Sequence, residues 1–197
     1  MSEDNPILGI IGTAGRGTDF KRLDKPVWYK VKRKVMQFIE DFGITKVASG
    51  GAAFADHLAV ELYLTDKAPQ VSSLDLYLPC KFDMDKCQFD QSEKDGRTSN
   101  FYHRQFSDKM GRNSLSYIRE AIIKGASVTV GNGFFDRNIM VAKNVDIMLS
   151  LTFGEGEILK DSGTAHTTRH FISIKGNADA YHINLPEVIL YKRAMVI

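Results

Sequence analysis

Residues 7–17 read ILGIIGTAGRG, a short apolar run that ends in a glycine-rich turn. A run of this length is typical of a buried strand, and glycines at its end mark a tight turn. The next segment has apolar side chains at spacings of three and four, namely Val27, Val31, Val35 and Phe38. This spacing places them on one face of a helix. The opening of the chain therefore predicts a strand, a turn and an amphipathic helix.

The same alternation continues along the chain. Further short apolar runs lie between segments of helical period, at residues 46–48, 74–78, 127–130, 145–153 and 180–185. Buried parallel strands that are joined by helices produce this pattern. We therefore predict a single domain over residues 1–197, with a Rossmann-like three-layer α/β fold and a mainly parallel sheet of five or more strands.

Residues 80–111 show no strong period, and we predict an irregular insertion there. A long irregular segment in a compact domain is usually functional or disordered. Its aromatic residues give it apolar surface to bury, and they are Phe82, Phe89, Phe101, Tyr102 and Phe106. We expect the insertion to form a lid over a cleft or an oligomer contact, in a homodimer or higher homo-oligomer.

Composition narrows the possible partners. The formal net charge is only +2, which argues against a nucleic-acid partner, because proteins that track phosphates usually carry a clustered cationic excess. Cys80 and Cys87 lack the paired spacing of a zinc site, and the amino-terminal MSEDNP is not a signal peptide. We expect a soluble cytoplasmic protein with no membrane partner and no cofactor.

Four turns rich in small residues follow the predicted strands. They read GTAGRG (12–17), SGGAAFAD (49–56), GNGFFDRN (131–138) and DSGTAHT (161–167). In an open α/β sheet, ligands bind beyond the carboxyl ends of the strands, where backbone N–H groups and helix amino termini favour anions. We therefore predict that the four turns form one pocket for a nucleotide-like small molecule.

The candidate ligand-binding residues lie in these turns, and they are Gly12, Thr13, Gly15, Arg16, Gly50, Gly51, Asp56, Gly133, Arg137, Asn138, Ser162, Gly163 and Thr164. Two interpretations are open for Arg16, which is either a two-pronged phosphate ligand or a solvated loop side chain. Asp56 and the Arg137–Asn138 pair are either ligand contacts or groups that stabilise a helix start.

Glu155 and Glu157 follow the predicted fifth strand and are the candidate catalytic residues. A carboxylate near a sugar–base bond can act as nucleophile or general acid. The alternative is a mobile acidic loop. His166 and His170 are four residues apart on a predicted helix, but no third ligand is evident, so we predict no metal site.

The order of GTAGRG, SGGAAFADHLA, GFFDRNIMVAKNVDIMLSLTFGEG and DSGTAHTTRH resembles the SLOG superfamily, especially its YspA-like branch, over about residues 7–175. That superfamily also includes the "lonely guy" cytokinin-activating hydrolases and the DNA-processing protein DprA. The resemblance implies a Rossmann-like fold that holds nucleotides or their derivatives at the glycine-rich turns. By motif position it singles out Gly50, Gly51, Asp56, Arg137, Asn138, Gly163 and Thr164.

One departure from the family bears on function. Phosphoribohydrolases of this superfamily carry a glutamate three residues after the threonine of a GGxGT turn, whereas here the turn is DSGT and that position is Thr167. Three functions stay open: a sensor or sequestering protein for a nucleotide or NAD-derived molecule, a nucleoside monophosphate N-glycosidase that uses Glu155 or Glu157, and a DprA-like single-stranded DNA accessory protein. The missing glutamate favours the first, and the low net charge counts against the third.

Overall fold

The computed structural model describes residues 5–160 and 162–196. In this part of the chain the strands are β1 (Ile7–Gly12), β2 (Lys46–Ser49), β3 (Ser73–Leu78), β4 (Phe82–Asp83), β5 (Gln88–Phe89), β6 (Ser127–Val130), β7 (Ile147–Thr152), β8 (Ala180–Asn184) and β9 (Ile189–Lys192). The α-helices are α1 (Asp19–Arg22), α2 (Lys25–Asp41), α3 (His57–Leu64), α4 (Lys94–Met110), α5 (Ser114–Lys124), α6 (Gly133–Asn144) and α7 (Gly163–Lys175). A single 3₁₀ turn, Phe54–Asp56, precedes α3.

Seven of the strands form one sheet in the order β6-β3-β2-β1-β7-β8-β9, which is parallel except for the β8–β9 pair. This confirms the predicted Rossmann-like α/β fold. Strands β2, β3 and β6 are added in turn on one side of β1, and the chain then crosses back to place β7 on the other side of β1. The strand order therefore reverses between β1 and β7, and such a reversal opens a crevice at the carboxyl ends of the strands.

Helices cover both faces of the sheet. Successive strand residues point to opposite faces, so Leu8 and Ile10 of β1 pack in one apolar cluster and Ile11 packs in another. The first cluster contains buried side chains of α2 to α5, and the second contains those of α6 and α7. None of the helices in the described residues is long and apolar enough to cross a lipid bilayer.

The prediction of an irregular insertion at residues 80–111 is wrong. The segment contains the β4–β5 hairpin and the 17-residue helix α4. The buried positions of α4 do recur at helical spacing, but most are small or polar, and they are Gly96, Ser99, Asn100, His103, Phe106 and Met110. A search for apolar period therefore finds little signal in this helix.

Buried polar groups attach α4 to the rest of the insertion. The Asn100 side chain accepts a hydrogen bond from the Phe89 N–H (2.9 Å) and donates one to the Phe89 carbonyl (2.8 Å). Gly96 packs so closely against the backbone of Asp90 that a β-carbon would not fit. The hairpin and α4 thus form one ordered unit.

Phe106 joins that unit to the main core, and its removal should be costly. Its ring is fully buried and lies 5.0 Å from the Trp28 ring centroid and 4.8 Å from that of Phe54. We expect Phe106→Ala to lower the free energy of unfolding by about 3–5 kcal/mol. The matched control is Phe101→Ala on the same helix, because Phe101 is 47% exposed and its loss should change the free energy by less than about 0.5 kcal/mol. Urea unfolding measures both, and equal effects of the two changes would contradict an integrated α4.

Candidate functional site

A cavity of about 650 Å³ lies at the carboxyl ends of the strands, beside the β1–β7 reversal. All four glycine-rich turns contribute to its lining, and so do Ser99 and Tyr102 of α4. The sequence-predicted candidates that line it are Gly12, Thr13, Arg16, Gly50, Asp56, Arg137, Asn138, Ser162, Gly163 and Thr164. The structure therefore brings the predicted turns together in one place, and α4 forms part of the wall as the predicted lid would.

The other three candidate glycines shape the turns without lining the cavity. Gly15, Gly51 and Gly133 have φ angles of 75°, 64° and 86°, in the left-handed region that disfavours residues with a β-carbon. A β-carbon on Gly15 would also run into the ring of Phe54, and one on Gly51 into the side chain of Leu78. These glycines are needed for backbone shape.

A buried pair of opposite charges lies at the centre of the site. Asp56 and Arg137 are both buried, and Arg137 Nη1 lies 3.6 Å from Asp56 Oδ2. The backbone N–H of Gly12 donates to Asp56 Oδ1 at 3.0 Å, and the Arg137 guanidinium donates to the Gly50 carbonyl. A β-carbon on Gly50 would overlap the guanidinium, so any other residue there would displace the Arg137 side chain. Three of the four turns thus meet at this pair.

Burial governs the protonation of both partners. It raises the pKa of Asp56, while the Arg137 charge and the backbone N–H groups of Gly12, Ala52 and Gly50 act in the opposite direction. It lowers the pKa of Arg137, which the Asp56 charge opposes. Arg137 Nε is buried and has no hydrogen-bond partner among the described residues. Nε is therefore shielded from the cavity, and Arg137 meets the cavity through the 11% of its side chain that is exposed.

His103 of α4 supports the loop that holds Arg137. Its Nε2 lies 3.0 Å from the Gly51 carbonyl, and its Nδ1 lies 2.9 Å from Ser114 Oγ. A carbonyl only accepts, so Nε2 carries the proton and Nδ1 accepts from the serine hydroxyl. Burial lowers the pKa of His103 to about 4. Sequence reasoning did not find this role, because no local pattern connects residue 103 with the turn at residues 49–56.

A second network of polar side chains lies at the turn that follows β1. Thr13 Oγ1 donates to Asp19 Oδ2 at 2.8 Å, and Lys160 Nζ lies 2.6 Å from Asp19 Oδ1. Asp19 is buried, and all three residues line the cavity. The sequence analysis missed Asp19 and Lys160, since they are far apart in the chain and neither belongs to a glycine-rich motif.

Both signs of charge line the cavity. Among the described residues, the cations of the lining are Arg16, Arg137, Lys160 and Arg169, and the acids are Asp19 and Asp56. Each acid is in an ion pair with one of the cations. The amino terminus of the 13-residue helix α7 adds partial positive charge beside Gly163 and Thr164.

Arg16 faces the cavity without a carboxylate partner among the described residues. Its guanidinium carbon lies 5.3 Å from the ring centroid of Tyr102 and 5.8 Å from that of Phe134. Arg16 therefore brings a cation to the site that the protein's own acids do not neutralise.

The predicted catalytic residues lie away from this cavity. Glu155 and Glu157 are exposed, and neither is part of the lining. Thr167 does line it, but this side chain is buried and its Oγ1 donates to the Gly163 carbonyl at 2.9 Å. Asp161, the first residue of the last turn, lies outside the described residues. The geometry gives the catalytic prediction no support.

The histidines of α7 form a pair at the rim. His166 lines the cavity, and its Nε2 lies 3.2 Å from Nε2 of His170. In the described part of the chain, no group of three or more potential His, Cys, Asp or Glu ligands comes together.

The fold and the cavity define a three-layer α/β protein with a cavity at a topological switch point. No protein-family model matches the chain. An uncharacterized protein of Acanthamoeba polyphaga mimivirus is 36% identical over 155 residues, which cover 75% of this chain and 82% of the viral protein. The chain belongs to the same family as this mimivirus protein.

The buried neutral His103 makes stability depend on pH. Its pKa in the folded protein, about 4, is lower than the unfolded value of 6.5, so acid protonates the unfolded chain first. The free energy of unfolding should therefore fall as the pH drops from about 6.5 to about 4. His57 and His182 are also buried with lowered pKa values and add to this decline.

His103→Gln should make that decline shallower by at most about 1.4 kcal/mol per pH unit, the value of one proton. Urea unfolding of both proteins at pH 8, 7 and 5 measures it. Between pH 8 and 7 the difference between wild type and variant should stay nearly constant, which is the internal control. If the free energy of unfolding falls equally in wild type and variant down to pH 5, His103 is not the group that causes the loss of stability in acid.

Proposed function

We propose that the protein binds a nucleotide or a nucleotide-derived anion in this cavity and acts as a sensor or sequestering protein. The observation that carries the proposal is the Arg137 guanidinium. It lines the cavity, and 11% of its side chain is exposed there. An oxyanion that accepts from the exposed part of this cation would form a charge-assisted hydrogen bond, which contributes about 1.5–3 kcal/mol.

Size, charge and resemblance support the same proposal. The volume of about 650 Å³ lies within the range of about 300–1,000 Å³ that is usual for small-molecule sites. Arg16, which has no carboxylate partner among the described residues, and the amino terminus of α7 suit a phosphate group. The resemblance to the SLOG superfamily, whose membership we also propose, points to the same turns and to nucleotide-type ligands.

Binding without turnover is the better supported form of the proposal. Hydrolysis of an N-glycosidic bond needs a carboxylate that can attack the sugar or stabilise its growing positive charge. Among the described residues, the acids of the lining are Asp19 and Asp56, each of which is in an ion pair, and Glu155 and Glu157 lie outside the lining. The formal net charge of +2 also gives little support to single-stranded DNA binding.

Isothermal titration with a panel of nucleoside monophosphates and NAD tests the proposal. Arg137→Gln should weaken binding of the tightest panel member by about ten- to a hundredfold, because it removes a charged donor. Arg104→Gln is the control, since Arg104 is exposed on α4 and outside the lining.

A second variant is needed because Arg137→Gln leaves Asp56 buried without its cation. Arg16→Gln serves this purpose, since Arg16 is exposed, and it should weaken binding by about fivefold or more. Wild type that binds no member of the panel, or binding that neither variant weakens, would overturn the proposal. Free base released by the wild type and not by Glu155→Gln or Glu157→Gln would establish the hydrolase in its place.

A further inference from the structure

Three aromatic side chains form an apolar wall of the cavity, whose lining also contains charged residues. Tyr102 comes from α4, and Phe134 and Phe135 come from the start of α6. The glycine-rich turns and the Asp56–Arg137 pair supply the polar part of the lining. A ligand that fills the cavity must therefore offer an anionic group and an apolar or aromatic group together.

Phe135 is unusual among the rings of this wall because it is 72% exposed. The ring packs edge-on against His166, with the ring centroids 5.1 Å apart. A ligand that covers the exposed face of Phe135 would remove apolar surface from water.

The other two rings are held in place around a planar cation. The Arg16 guanidinium lies within 5.8 Å of the ring centroids of both Tyr102 and Phe134. The Phe134 N–H donates to Asp95 Oδ2 of α4 at 2.9 Å, so α4 and α6 are joined at the wall. Arg137 also lies over the Phe134 ring, 5.5 Å from its centroid. A flat ring can stack on the Arg16 guanidinium that these aromatic rings position, or on the exposed ring of Phe135.

We propose that this wall, made by Tyr102, Phe134 and Phe135, binds an aromatic heterocycle. Phe135 and Tyr102 determine specificity for ligands that carry a nucleobase. The inference rests on the proposed function, and it adds that α4 supplies part of the base-recognition surface. Stacking tolerates any base, so the wall selects for the presence of a base more than for its identity.

The test compares adenosine 5′-monophosphate with ribose 5-phosphate, which has the same sugar and phosphate but no base. Wild type should bind the nucleotide at least tenfold more tightly. Phe135→Ala should weaken nucleotide binding by about five- to a hundredfold, the usual scale of a lost base stack, and leave the ribose 5-phosphate affinity within about twofold. Because Phe135 is exposed, this variant should fold.

Phe101→Ala is the matched control, since Phe101 is an exposed ring next to Tyr102 but does not line the cavity. It should bind both compounds as wild type does. Phe135→Trp keeps a stacking face and should restore the preference for the nucleotide. Tyr102→Ala should also reduce the difference in affinity between adenosine 5′-monophosphate and ribose 5-phosphate.

The outcomes separate this inference from the proposed function. Equal affinity of wild type for the two compounds would overturn the base-binding wall and leave the anion site standing. Loss of ribose 5-phosphate binding in Phe135→Ala would also overturn it, because the ring would then act on the anion end. Failure of wild type to bind either compound would overturn the base-binding wall, whereas the proposed function is overturned only if no member of the panel of nucleoside monophosphates and NAD binds.

Discussion

The buried ion pair between Asp56 and Arg137 is the interaction on which the site depends. Removing two charges from water costs several kcal/mol per ion, and a pair at 3.6 Å does not offset that cost alone. The Gly12 N–H and the Gly50 carbonyl complete the network, so the turns after β1, β2 and β6 are fixed relative to one another. The same network holds Arg137 in the lining with 11% of its side chain exposed, which places a cationic donor at the cavity.

Contacts from α4 stabilise the turn after β2, which contains Gly50 and Gly51. His103 holds the Gly51 carbonyl, and Gly51 is the residue whose left-handed backbone lets the preceding carbonyl face Arg137. Phe106 packs on Phe54, which itself has a positive φ of 58° in the same loop. A non-glycine residue in that region stores strain that the surrounding packing must hold, and strain of this kind is common at functional sites. The insertion is thus structural support for the site as well as one of its walls.

The sequence predicted the sheet well because its buried strands are apolar runs and most of its helices show an apolar stripe. It also predicted the turns and the placement of Asp56 and Arg137 at one cavity, because all βα turns of a parallel sheet share an edge. It failed for α4, whose inward face consists largely of Gly96, Ser99, Asn100 and His103. It could not predict the Asp19–Lys160 pair either, since that contact joins residues 141 positions apart through tertiary structure alone.

The most direct measurement of the central claim is mass spectrometry of small molecules released when the gently purified protein is denatured. Gly50→Ala is the companion variant, because its β-carbon would displace the Arg137 guanidinium. The account predicts that wild type releases a phosphate-bearing, nucleotide-type molecule and that Gly50→Ala releases much less of it. A released molecule without an anionic group, equal release from both proteins, or no release at all would contradict an anion-binding site built on Asp56 and Arg137.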